Sequence, residues 1–107
     1  MTNYGLTLLP HVSFSILFAL SLKPQHGYAL ITQINEDSNG RVVIGPGAVY
    51  GALKQLCAET LIEEMPFEGS SRRRYYRLTI KGLNRLKGDI AYHEYILAIA
   101  QERHLVN

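Results

Sequence analysis

The stretch VVIGPGAVYG, residues 42–51, decides the fold. Three β-branched residues, Val42, Val43 and Ile44, run into a turn built from Gly45, Pro46 and Gly47, and an apolar segment at helical spacing follows. Two readings compete for it. One is a glycine turn that cradles the phosphates of a dinucleotide. The other is a loop that delivers a short helix to a DNA groove.

The dinucleotide reading needs a strand, a glycine turn, a helix and an acidic residue about 20 positions on. Glu63 and Glu64 stand near that distance from Gly45. The glycine spacing, however, is GxGxxxG rather than GxGxxG, counting Gly45, Gly47 and Gly51. The residues before the turn read as helical, so no βαβ unit precedes it. No GKS or GKT follows a glycine-rich loop, which excludes a Walker phosphate loop.

Working outward from the turn, the second reading gains support. Upstream, residues 10–22 hold Val12, Phe14, Ile16, Leu17, Phe18, Leu20 and Leu22, apolar nearly all round, which predicts a helix buried on more than one side. Pro24 and Gly27 break it. Residues 26–38 form a second helix with a stripe at Tyr28, Leu30, Ile31 and Ile34, and Ser38-Asn39-Gly40 ends it. Residues 41–44 read as a short extended piece. Pro46 suits the first turn of a third helix over 46–60, since its missing N–H costs nothing there. Val49, Leu53, Leu56 and Cys57 share that helix's core face, and Gly47, Tyr50, Gly51 and Lys54 share the opposite one.

Downstream, residues 61–66 and 72–79 alternate like two strands of a hairpin. The alternation points Tyr76, Leu78 and the stem of Arg74 inward, and Arg73, Tyr75 and Arg77 outward. Thr79 is a candidate N-cap for a long final helix. Leu83, Leu86, Ile90 and Leu97 make one stripe on it, and Tyr92, Tyr95, Ile96 and Ile99 a second. The order predicts a mainly α fold with a small β-hairpin: a winged helix-turn-helix over residues 1–79. A C-terminal helix over residues 80–107 packs on the first helix, so the two make one structural unit.

Composition agrees with a single domain. The chain has 107 residues, 47% of them apolar and 19% charged, enough for a modest core. No apolar run reaches the roughly 18 residues of a membrane span, and no basic leader precedes the apolar window at residues 12–22. A lone Cys57 excludes an intrachain disulfide and suits a reducing cytoplasm. Net charge is only +2, yet residues 69–87 hold seven basic residues and no acidic one, leaving −5 for the rest. A basic block on a nearly neutral chain points to a polyanion contacted at one place.

The candidate DNA-binding residues follow. Gly47, Ala48 and Gly51 let a helix backbone approach a major groove, with Tyr50 and Lys54 beside them. Arg72, Arg73 and Arg74 with Tyr75 form the wing, and His26 opens the second helix. The run Tyr95-Ile96-Leu97-Ala98-Ile99-Ala100 has no polar face, so a second copy of the chain is expected to cover it. The expected dimer surface is Phe14, Phe18, Leu83, Leu86, Ile90, Tyr95, Ile96, Leu97 and Ile99. Phe14, Phe18, Tyr92 and Tyr95 are candidates to line a pocket for an aromatic ligand at the dimer interface. His11, His26, Cys57, His93 and His104 lack metal-ligand spacing, so no metal or cofactor is expected. No nucleophile–base pair suggests an enzyme.

At this point the residues resemble a known family. HGYALITQI (26–34), GAVYGALKQL (47–56), LI (61–62) and RRRYYRLTIKG (72–82) are similar to the PadR family of bacterial transcriptional regulators, in its small subfamily ending in one long helix. The resemblance implies a homodimer, joined through the last helix, that represses transcription from a palindromic operator and is released by small aromatic ligands. It implies that Tyr50 and Lys54 contact DNA, that Arg72, Arg73 and Arg74 lie at the wing, and that Tyr75 or Tyr76 positions it. One departure is Thr60, where the family usually carries glycine, which removes the easy left-handed cap. Another is the scarcity of polar readers on the third helix, which shifts the burden to shape and phosphate contacts. The rival readings are a winged helix used to bind proteins and a small-molecule carrier that has lost its DNA site.

Overall fold

The computed structural model describes residues 8–66 and 73–107. Among the described residues four helices and three strands follow one another: α1 (His11–Leu20), β1 (Gln25–His26), α2 (Gly27–Asp37), α3 (Pro46–Ala58), β2 (Ile62–Glu64), β3 (Tyr75–Leu78) and α4 (Ile80–Glu102). α2, α3 and the β2–β3 wing make the winged helix-turn-helix.

The expected strand at residues 41–44 does not form; Val42 to Ile44 lie in irregular backbone, with only Ile44 buried. The third strand comes from Gln25 and His26, which pair antiparallel with Tyr76 and Tyr75. β3 is therefore the middle of a sheet ordered β1-β3-β2. Ile62 faces Leu78 and Glu63 faces Arg77 across the wing. Gln25 is buried, and its Nε2 donates to the Ala19 carbonyl at 3.0 Å, tying β1 to the end of α1.

The core joins Ile16, Leu17 and Leu20 of α1, Leu30 and Ile34 of α2, Val49, Leu53 and Leu56 of α3, then Leu61, Ile62, Tyr76 and Leu86. α1 is central, as its all-round apolar sequence predicts, touching α2, α3, β3 and α4. Leu86 was expected on a dimer surface. It faces this core instead, 2% exposed, because the first turns of α4 close the wing's base. Asp89 is buried one turn on, where its Oδ2 accepts the backbone N–H of Leu9 at 3.0 Å. The stem of Arg74 does not turn inward: its side chain is 72% exposed beside Glu64.

Three helices end alike. Asn39, Thr60 and His104 all have positive φ, 55°, 60° and 60°. Each lies just past a C-cap, and the next residue's N–H returns to the third-last helical carbonyl: Gly40 to Asn35, Leu61 to Leu56, Leu105 to Ala100. This is the Schellman closure, normally served by glycine. Thr60 thus keeps the left-handed cap that its side chain was expected to forfeit. Immediately after the wing, the Thr79 hydroxyl caps α4 by accepting from Gly82 N–H at 3.0 Å, as anticipated.

Candidate nucleic-acid interface

The exposed side of α3 carries Gly47, Ala48, Tyr50, Gly51 and Lys54. A β-carbon at Gly47 or Gly51 would have no atom within 4 Å. These glycines are not packing devices within the chain. They leave the helix backbone itself as the outermost surface, as a close approach to another molecule requires. Gly27 is different: a β-carbon there would stand 2.6 Å from the Tyr50 ring.

Tyr50 leans back over the start of α2, edge-on to Tyr28 with ring centroids 6.5 Å apart. Around it opens a cleft of about 450 Å³ lined by His26, Gly27, Tyr28, Tyr50, Arg73, Arg74 and Tyr76. Three elements that are remote in sequence thus meet: the first turn of α2, the first turns of α3 and the root of the wing. His26 holds its place through two bonds. Its Nδ1 accepts from Ala29 N–H at 3.3 Å as the cap of α2, and its Nε2 lies 3.4 Å from the Arg73 guanidinium. Tyr75 stands edge-on to its ring at 5.3 Å, half-buried rather than pointing to solvent. Burial, then the charge of Arg73, push the His26 imidazole below its ordinary value.

The wing's charge is less one-sided than its sequence. Glu63 on β2 pairs with Arg77 at 2.8 Å, Glu64 stands 3.8 Å from Arg74, and Asp89 stands 3.9 Å from Arg85. Strand pairing thus brings Glu63 and Glu64 from outside the basic block against it, and the next turn of α4 brings Asp89. Arg72 lies outside the described residues. Gly27 and Tyr28 do not stand out in the sequence as site residues, and Tyr76 enters there only as one of two tyrosines implied to position the wing. The motif HGY held the signal, since a glycine beside a capping histidine marks a close approach.

The sequence profile described as "Transcriptional regulator PadR-like family" matches residues 16–88. The chain belongs to the PadR-like family of transcriptional regulators. A PadR-like transcriptional regulator of Bacillus cereus is 26% identical, with a TM-score of 0.73 over 90% of this chain and 93% of that one. PadR of Bacillus subtilis, solved in complex with operator DNA, shares the fold: TM-score 0.65 at 22% identity, over 74% of this chain and 46% of that one. An uncharacterized 37.1 kDa protein in transposon TN4556 of Streptomyces fradiae is 42% identical over 67 residues, 63% of this chain. The match spans 18% of that protein's length. The family and these structural neighbours are transcription regulators, not enzymes.

Away from the cleft, this PadR-like chain exposes Leu83, Tyr92, Tyr95, Ile96 and Leu97 on α4, and Phe18 on α1. Phe14, Ile90 and Ile99 are half-buried. Phe14 stacks on Phe18, centroids 5.9 Å apart, and on His93 of α4 at 5.6 Å. The two phenylalanines line a hollow of about 160 Å³ with His11, Ser15, Ile34, Asp37, Ser38 and Val42. Tyr92 and Tyr95 are not part of its lining. Cys57 is half-buried, and burial with nearby Glu64 pushes its thiol up, away from the reactive thiolate. Among the described residues no group of His, Cys, Asp and Glu could hold a metal ion, and no helix is long and apolar enough to cross a membrane.

Proposed function

We propose that this PadR-like regulator is a homodimeric repressor that seats two copies of α3 in successive major grooves of a palindromic operator, about 34–36 Å apart. The observation that carries the reading is the cleft itself. Residues of α2, α3 and the wing converge beside a helix face that glycine keeps bare. Gly47, Ala48 and Gly51 admit the groove, Tyr50 and Lys54 reach base edges or phosphate, and Arg72, Arg73, Arg74, Tyr75 and His26 flank the backbone. The Bacillus subtilis PadR complex with operator DNA, which shares the fold, supports this placement.

The dimer half of the proposal rests on the exposed apolar side of α4. Leu83, Tyr95, Ile96 and Leu97 of α4 and Phe18 of α1 would be wet in a lone chain, with Phe14, Ile90 and Ile99 at the margin. Contiguous apolar surface of this kind marks an association site. Residues 80–107 then act as the dimerisation helix of the unit whose residues 1–79 read DNA. For release, the hollow walled by Phe14 and Phe18 is close to the roughly 150 Å³ that holds a benzene ring, so a single-ring aromatic is the effector proposed.

Fluorescence anisotropy tests the reading, with labelled duplex from upstream of the protein's own gene against a scrambled duplex, at several salt concentrations. Tighter binding to the upstream duplex, saturating at two chains per site, is expected. Replacing Arg73 and Arg74 with Ala should weaken binding to both duplexes and flatten the salt dependence by about two phosphate contacts. Equal, weak binding to both duplexes would overturn the reading, as would a clean monomer by light scattering.

A further inference from the structure

Lys81 occupies the first turn of α4, two residues past its cap Thr79. A cation is misplaced there with respect to its own helix, whose N-terminal end is already partly positive and carries no acid in that turn. The ammonium serves a different helix. Its Nζ donates to the backbone carbonyl of Glu59 at 3.0 Å and lies 3.3 Å from the Thr60 hydroxyl. Glu59 is the C-cap of α3, whose own last turn holds no basic residue. Lys81 therefore supplies from outside the charge that the C-terminal end of α3 favours.

Other ties fall beside it. The Thr79 hydroxyl donates to the Thr60 carbonyl at 2.7 Å, and Thr79 N–H to the Leu61 carbonyl at 3.2 Å. Gly82 lets the first turn of α4 press against the Leu61 backbone. Residues 59–61 and 79–82 thus form one joint between α3 and α4. Thr79 and Gly82 fix where the chain passes. Lys81 reaches the cap of α3 itself.

We propose that Lys81 is a positioning residue for DNA recognition, setting the angle between α3 and α4 and hence the half-site spacing that a dimer accepts. The inference rests on the dimeric reading above. In a two-fold dimer held through α4, any rotation at this joint occurs in both copies, so a small change of angle acts twice on the distance between the α3 helices.

The test is selection of duplexes from a random-sequence pool by the wild type, Lys81→Met, Lys81→Gln and Lys81→Arg, followed by binding at several salt concentrations. Lys81→Met and Lys81→Gln should enrich the wild-type half-site at a broadened spacing. They should bind the wild-type duplex about tenfold or more weakly, as for one mismatched base pair. Their salt slope should be unchanged, and Lys81→Arg should restore the wild-type spacing. A slope lower by about one would make Lys81 a phosphate contact and overturn the proposal. So would wild-type spacing and affinity in both neutral variants, or loss of the fold in both by circular dichroism. Failure of the wild type to enrich any paired half-site would overturn the dimeric reading itself.

Discussion

Gly27 lies directly beneath the ring of Tyr50: a β-carbon on Gly27 would come within 2.6 Å of both its Cζ and its hydroxyl oxygen. The first turn of α2 and the exposed face of α3 are thus fitted to each other through one missing methyl group.

Gly27→Ala should uncouple stability from DNA binding. The obstructing atoms are the far end of a side chain that is 44% exposed, so Tyr50 can swing away. Alanine also favours the helix, which keeps the net stability change within about 1 kcal/mol. The displaced Tyr50 should cost about 1–3 kcal/mol of specific binding, the worth of one good base contact. A double-mutant cycle with Tyr50→Ala checks this: in the Tyr50→Ala background, Gly27→Ala should have no further effect on affinity.

Gly82 and Gly88 lie in the same helix and should respond oppositely to alanine. At Gly82 the new carbon would overlap the Leu61 carbonyl oxygen and stand 2.9 Å from its carbon, and backbone cannot step aside. Gly82→Ala should destabilise by about 3 kcal/mol or more. At Gly88 nothing lies within 4 Å, so alanine should stabilise by about 0.5–1 kcal/mol. Urea unfolding of the two variants measures both signs.

Much of this architecture is legible in residue types. Pro46 marks the first turn of α3, Thr79 the cap of α4, and the alternation Tyr76 in, Arg77 out gives the wing's face. β1 was not legible, because two residues between Pro24 and Gly27 hold no alternation, and only their partners on β3 make them a strand. Val42 and Val43 misled for the converse reason: their β-branching is real, but they lie in irregular backbone and pair with none of the sheet's strands. Tyr28 and Tyr50 meet only because α2 and α3 cross, a relation no local pattern carries. Glu63 and Glu64 temper the wing's charge through cross-strand register, which a count along the chain misses.

Thr60→Gly should make the protein more stable. Thr60 sits at φ 60°, where a residue other than glycine costs about 1–2 kcal/mol, and a β-branched one is poorly suited. Relief of that strain should exceed the loss of its exposed hydroxyl contacts, for a net gain of about 1 kcal/mol. Thr60→Ala removes the hydroxyl and keeps the strain, so it should stay within about 0.5 kcal/mol of the wild type. Thermal melts of the three proteins give the order.

His26 should make stability depend on pH in one direction. Its folded-state pKa is lowered, by burial first and by Arg73 second. Its contribution is therefore fully present above the ordinary value of about 6.5, and is lost as pH falls through the lowered folded value. His26→Asn keeps a side chain that can cap α2 without titrating. Urea midpoints should fall less steeply for His26→Asn than for the wild type as pH drops from about 7.5 to about 5.

The wing is rooted in a sheet whose middle strand is β3, bonded to β1 on one side and β2 on the other. Its arginines consequently project from a stem held by strand pairing on both sides, one of them β1, which leads directly into α2. Amide hydrogens along Tyr75–Leu78 should exchange with deuterium about as slowly as those of the core helices. Arg73 and Arg74 would then meet a partner as a preset grip rather than a searching arm, and would surrender little freedom in closing on it.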